Sequence, residues 1–281
     1  MTDLVIIPTF DRPEFLWLCL ENLVNIFGWS DQLPHIWVCE DIHADKPKSF
    51  TIEMEMLAVH REFQGRLGYR YIATKPHTTY GNSYNVLSAL QAANGAGYRY
   101  VYLIEDDVLV TPDFFDWNDA VHAKFKPWAS CAGRLNRSLN FEMNGREAID
   151  ESVRDVTACH SSVAAYNSWA TCFSAEALQW ISGNTSFDQF ASGFEQDIMI
   201  QRQIRRAKLT TVWPYVPRAY HMGWYSYHRD GGMKLYGTLE ERVTALRAAV
   251  KDPAKLRSLG AQDMDAFPTT PLSGFRELRL L

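Results

Sequence analysis

Through the first hundred residues, short unbroken apolar runs alternate with longer stretches whose apolar residues recur every three or four positions. LVIIP (4–8) is wholly apolar and rich in β-branched residues, the composition of a strand buried on both faces. EFLWLCLENLVNIF (14–27) has helical spacing and stops at Gly28, with Asp11 expected as its N-cap and Pro13 near the first helical position. HIWVC (35–39) reads as a second strand, 49–64 as a helix, YRYIAT (69–74) as a strand, 82–93 as a helix ending near Gly95 and Gly97, and YRYVYLI (98–104) as a fourth strand. Strands alternating with helices predict right-handed crossovers and an α/β fold with a mostly parallel central sheet flanked by helices. Such sheets bind ligands at the carboxyl ends of their strands. Thr9–Arg12, Glu40-Asp41, Lys75–Asn82 and Glu105–Asp107 all fall on that edge.

The second half is less regular. A helix is expected over 111–124, strands at 127–133, 168–173 and 210–214, a helix at 174–181 capped by Ser174, and another over 193–209 with acids in its first turn and bases towards its end. Residues 238–258 read as a helical tail. Residues 134–162 are polar and patternless, as in a lid or binding loop or a disordered segment, and 215–232 form a loop dense in aromatics and glycine.

The most informative stretch is VYLIEDDVLVTPDFF (101–115), where an apolar run delivers Glu105, Asp106 and Asp107 to a strand end. Three adjacent carboxylates repel one another and call for a compensating cation. Oxygen ligands of this kind suit Mn²⁺ or Mg²⁺, bound through one or two carboxylates together with substrate phosphates. An acidic loop capping the helix after Thr111-Pro112 is the alternative.

Composition narrows the class. The 281 residues are 47% hydrophobic and 13% aromatic, which indicates a well-cored globular protein. A net charge of -5 argues against a generally basic surface for nucleic acid. Five cysteines without a C-x-x-C pair point to a reducing compartment, with Cys19 and Cys39 as buried thiols. The start, MTDLVIIPTF, lacks a basic leader, and no run reaches the length of a membrane span, so a soluble, cytoplasmic protein is expected.

Three blocks taken together, IIPTFDRP (6–13), IEDDVLVTPDFFDW (104–117) and GFEQDIM with PRAYHMG (193–199 and 217–223), resemble the GT-A glycosyltransferases, most closely glycosyltransferase family 13, the family of the Golgi β-1,2-N-acetylglucosaminyltransferases. The blocks occur in family order over roughly residues 4–225, with no anchor or stem and with an unmatched insertion at 134–162. The resemblance implies one GT-A domain over 1–281: a nucleotide-sugar-binding half (1–110), an acceptor and catalytic half (111–232) and a helical tail (233–281). It implies Asp107 as the metal-binding acid, Glu105 and Asp106 near ribose and uracil, Asp41 on the uracil, Arg12 in the nucleotide pocket, and His221 near the metal or diphosphate. Glu195 falls where the family carries its catalytic carboxylate, usually Asp, and Asp197 is the rival base.

Sugar transfer needs a neutralised leaving diphosphate, a base for the acceptor hydroxyl, and exclusion of water. Asp107 with Mn²⁺ or Mg²⁺ answers the first need, Glu195 or Asp197 the second, and the 134–162 loop with a Gly231-Gly232 hinge the third. The expected function is therefore a metal-dependent, inverting transfer from a UDP-sugar to an acceptor hydroxyl. The acceptor is open between a glycan, a peptide, a lipid-linked sugar, a small molecule and a hydroxymethylated base in DNA, the last reached through Arg134, Arg137, Arg205 and Arg206. Trp169, Trp224, Tyr225 and Tyr227 either stack on a sugar face or fill core. A nucleotidyltransferase is a rival reading, but TFDRPEF lacks the glycine-rich loop of that class. A non-catalytic module that keeps a nucleotide-sugar pocket is another.

Overall fold

A computed structural model describes residues 2–27, 34–78, 82–133, 154–163, 165–186, 196–222, 235–252 and 277–280. The chain runs β1 (Leu4–Thr9), α1 (Pro13–Phe27), β2 (His35–Glu40), α2 (Phe50–Phe63), β3 (Tyr69–Ala73), α3 (Ser83–Ala93), β4 (Tyr100–Ile104), β5 (Val108–Val110), α4 (Phe114–Phe125) and β6 (Ala129–Cys131). It continues through β7 (Ala158–Ser162), β8 (Ala170–Ser174), α5 (Ala175–Asn184), α6 (Gln196–Ala207), β9 (Thr211–Pro214), β10 (Ala219–His221), α7 (Leu239–Val250) and β11 (Arg279–Leu280).

The large sheet has the order β11-β7-β9-β6-β8-β4-β1-β2-β3, and β10 pairs with β5 in a small second sheet. β3, β2, β1, β4, β6 and β9 point one way, while β8, β7 and β11 run against them. Alternation along each strand divides the core into two layers. Leu4 and Ile6 join Trp37, Leu103 and Phe173 on the face covered by α3, α5 and α6. Val5 and Ile7 join Val38, Tyr102 and Ile104 on the opposite face, covered by α1, α2 and α4. The apolar run Leu4–Ile7 of β1 is therefore used on both faces.

α1 and α2 cover one face and α3 the other, so the connections reverse direction between β1 and β4. That reversal opens a crevice at the carboxyl ends of these two strands, the place where open α/β sheets bind ligands. The segments after β1 and β4 are 10–12 and 105–107, at the edge that the strand pattern predicts.

Several expectations need correction. Asp11 does not cap α1; the Arg12 carbonyl accepts from the backbone N–H of Phe15 and Leu16 at 3.1 Å, so the helix begins one residue later. Ser174 does cap α5, accepting from the Ala177 N–H at 3.2 Å. The patternless 134–162 segment ends in a strand, β7, and the expected loop at 215–232 contains β10. Both are short and hold polar or mixed residues, so they carry no period of their own and exist through distant partners. β5, between the acids and α4, is a further short strand, apolar but only three residues long.

Candidate active site

The backbone N–H of Val108 donates to the Glu105 carbonyl at 3.0 Å, closing a turn with Asp106 and Asp107 at its centre. Aspartate is well suited to such positions. β5 follows and separates the acids from α4, whose N-cap residue is Asp113, so the triplet does not cap that helix. The small sheet brings the third block alongside. His221 pairs with Val108, and the Met222 N–H donates to the Asp107 carbonyl at 2.8 Å.

Each acid has a different partner. The Thr9 hydroxyl donates to Asp106 at 2.7 Å. Arg12 bridges the pair, with one guanidinium nitrogen on Asp106 and the other donating to Asp107 at 2.7 Å. Glu105 accepts from the Ser168 hydroxyl at 2.7 Å, and its N–H donates to the Trp169 carbonyl at 3.1 Å. His221 Nε2 lies 3.3 Å from Asp107 and 4.0 Å from Glu105. Its ring lies flat against Trp169, with centroids 4.6 Å apart and planes 16° from parallel.

The two aspartates titrate apart, as adjacent like charges must. Burial pushes Asp106 up to about 7, with the Asp107 charge adding and Arg12 opposing. Burial also opposes ionisation of Asp107, but Arg12 and His221 overcome it and hold that carboxyl well below the usual range. Burial and Asp107 together raise Glu105. Burial lowers His221, while Asp107 more than reverses the effect and raises it.

The repulsion noted in the sequence is thus met largely within the protein, by Arg12 and His221. Charge balance alone therefore does not require a metal; the donor atoms are the better guide. Glu105, Asp107 and His221 each offer a ligand atom, all within 4.8 Å of one another. His221 Nδ1 is buried and makes no hydrogen bond, while Asp107 Oδ1 faces His221 Nε2 at 3.3 Å. Two carboxylate oxygens and an imidazole nitrogen fit a divalent cation, with the nitrogen shifting preference from Mg²⁺ towards Mn²⁺. Asp106 is absent from this group, because Thr9 and Arg12 occupy its oxygens.

Asp41 lies at the end of β2, with its N–H donating to the Thr9 carbonyl at 2.9 Å and its carboxylate 2.6 Å from His77 Nε2. His77 stacks on Tyr84 with centroids 4.2 Å apart. Asp197 lies in the first turn of α6, where it accepts from the Ile198 N–H at 2.7 Å. The start of α6 is tied to α3: the Gln196 N–H donates to the Ser83 hydroxyl at 3.0 Å, which donates back to the Gln196 side chain at 3.1 Å. Glu195, Arg134, Arg137, Trp224, Tyr225, Tyr227 and the Gly231-Gly232 pair lie outside the described residues. Arg205 and Arg206 fall in the last turn of α6, where cations suit the helix dipole.

Thr9, Ser168 and His77 were not singled out in the sequence. Thr9 carried a signal, a hydroxyl at the end of the first strand. Ser168 carried none, since its partner Glu105 is remote in the chain. Trp169 packs against the core and stacks on His221.

The family model described as "Glycosyltransferase like family 2" matches residues 4–252. No curated protein matches the chain in sequence. Among solved structures, S. aureus TarS 1–349 is similar, with a TM-score of 0.52 and 12% identity over 79% of this chain and 60% of that one. The same protein in complex with UDP gives 0.54 and 11% identity, over 78% of this chain and 59% of that one. In complex with UDP-GlcNAc it gives 0.53 and 11%, over 91% of this chain and 64% of that one. The chain thus spans about 60% of these structures, and the likeness is one of fold, the GT-A architecture.

Proposed function

The chain belongs to the glycosyltransferase like family 2, and from that premise we propose that it moves a sugar from a UDP-sugar to an acceptor hydroxyl, with inversion, using a divalent cation. The observation that carries this reading is the Glu105–Asp107–His221 donor group, with the buried His221 Nδ1 left unbonded, in the crevice between β1 and β4. The UDP and UDP-GlcNAc held by the TarS structures support a UDP-sugar as donor. The finer likeness of the three sequence blocks to family 13 supports Asp41 on the uracil and Glu105 and Asp106 near the nucleoside.

Glu105, Asp107 and His221 would hold Mn²⁺ or Mg²⁺, which when bound neutralises the leaving diphosphate as a Lewis acid. Arg12 stands beside the same acids and adds positive charge where the phosphates would lie. A carboxylate at the start of α6, either Asp197 or Glu195, takes the proton from the attacking hydroxyl. One base acting directly on the acceptor means a single displacement and inversion at the anomeric carbon. The acceptor is a glycan or a small molecule; modified DNA is the further candidate.

The test is UDP release from a panel of UDP-sugars with Mn²⁺. Wild type should turn over, EDTA should stop it, and Asp107→Asn should stop it while leaving the circular dichroism spectrum unchanged. A fully active Asp107→Asn variant would refute the metal assignment.

A further inference from the structure

Immediately before Ser168 and Trp169 lie two residues whose side-chain polar atoms are buried and make no hydrogen bond. Among the described residues, the Tyr166 hydroxyl and both amide atoms of Asn167 make no hydrogen bond. Tyr166 is 1% exposed and Asn167 3%. Folded proteins rarely leave such atoms unpaired, because each loses its water without replacement. Three in adjacent residues call for an explanation.

Their position supplies one. Tyr166 stands two residues before Ser168, whose hydroxyl donates to Glu105 of the acid turn at 2.7 Å. The Asn167 amide lies over the backbone of Gly133, where an added Cβ would sit 3.3 Å from Asn167 Nδ2 and 3.4 Å from the Trp169 ring. Trp169 stacks on His221, and Ser168 donates to Glu105. In this run of four residues, the last two hold the donor group and the first two have unused hydrogen-bonding capacity beside it.

We propose that Tyr166 and Asn167 bind hydroxyl groups of the sugar carried by the donor nucleotide. The inference rests on the UDP-sugar reading above and adds the residues that read the sugar. An amide offers both a donor and an acceptor, and a phenol does the same. Vicinal sugar hydroxyls match that mixture. A phosphate, which brings acceptors only, would leave Asn167 Oδ1 unpaired. A site built to bond a hydroxyl also discriminates strongly against a sugar lacking it, so these residues would set donor choice.

Calorimetric titration with MnCl₂ present, using UDP, UDP-glucose and UDP-N-acetylglucosamine on wild type, Tyr166→Phe and Asn167→Leu, tests this. Both variants should bind UDP as wild type does, and each should bind at least one UDP-hexose about 2- to 10-fold more weakly, the worth of a neutral hydrogen bond. The melting temperature of Tyr166→Phe should hold or rise, since the hydroxyl removed supports nothing in the fold. Unchanged UDP-hexose affinity in both variants would overturn the proposal and leave an internal water as the partner of these atoms. A lower melting temperature with UDP and UDP-hexose affinity falling together would also overturn it, by showing a structural role. A wild type that binds UDP-hexose while Asp107→Asn binds it equally well would refute the metal assignment alone. A wild type that binds neither UDP nor UDP-hexose refutes the donor reading, and this one with it.

Discussion

His122 illustrates what burial does to a single titratable group away from the crevice. It lies on α4 among apolar residues, its Nε2–H donates to the Ser130 hydroxyl at 3.1 Å, and Ser130 donates onward to Asn118 at 2.5 Å. Burial pushes its pKa down to about 4. The unfolded chain takes up this proton near pH 6.5, whereas the folded one refuses it until about 4. The contribution to stability is therefore complete above about pH 6.5 and lost as pH falls towards 4, at up to about 1.4 kcal/mol per pH unit. Urea denaturation of wild type and His122→Gln at pH 7 and pH 4.5 should show the larger loss in wild type; parallel losses would refute the assignment. At this scale the sequence was a good guide where charge was concentrated. Arg12, Asp107 and His221 were each picked out before their partners were known, and they meet within 4 Å. The residues alone do not separate Asp106 from Asp107; the family resemblance assigns the metal to Asp107, and of the two aspartates Asp107 belongs to the donor group.

Among the elements, β8 has a role that its apolar pattern conceals. Its approach segment carries Ser168 and Trp169, which hold Glu105 by side chain and backbone and cover the face of His221. Groups that fix the orientation of a metal ligand commonly alter affinity by one to two orders of magnitude. Trp169→Ala should weaken Mn²⁺ binding, read by electron paramagnetic resonance, by about tenfold or more, and Trp169→Phe, which keeps a flat ring, should restore most of it. Equal affinities in all three proteins would show that the stack is incidental. The long elements were legible because amphipathic periodicity and caps such as Ser49 and Ser174 are local signals. β5, β7 and β10 were not, because three to five residues hold no period and depend on pairing with chain far away.

For the molecule as a whole, the second and third sequence blocks are joined by a buried ion pair. Arg218 donates to Asp113 at 3.0 Å and to the Val156 carbonyl at 2.8 Å, with both charged side chains sealed from water. Asp113 makes no capping bond to α4, its carboxylate being committed to Arg218. Arg218→Met would strand that carboxylate and should cost about 3 kcal/mol or more by urea denaturation. Adding Asp113→Leu should recover much of the loss, and a single variant within about 1 kcal/mol of wild type would show the pair to be dispensable. The motif residues read from the sequence as chemistry are thus partly carpentry: P-D-F-F fastens β10, and β10 delivers His221. The arrangement has a consequence for biosynthesis. Since β10 is what carries the imidazole to Asp107, a ribosome-tethered chain released no further than β9 holds every acid of the crevice and still lacks the histidine. On the proposed metal reading, the donor group is then complete only at a late stage of translation, and nascent fragments that stop short should not bind manganese.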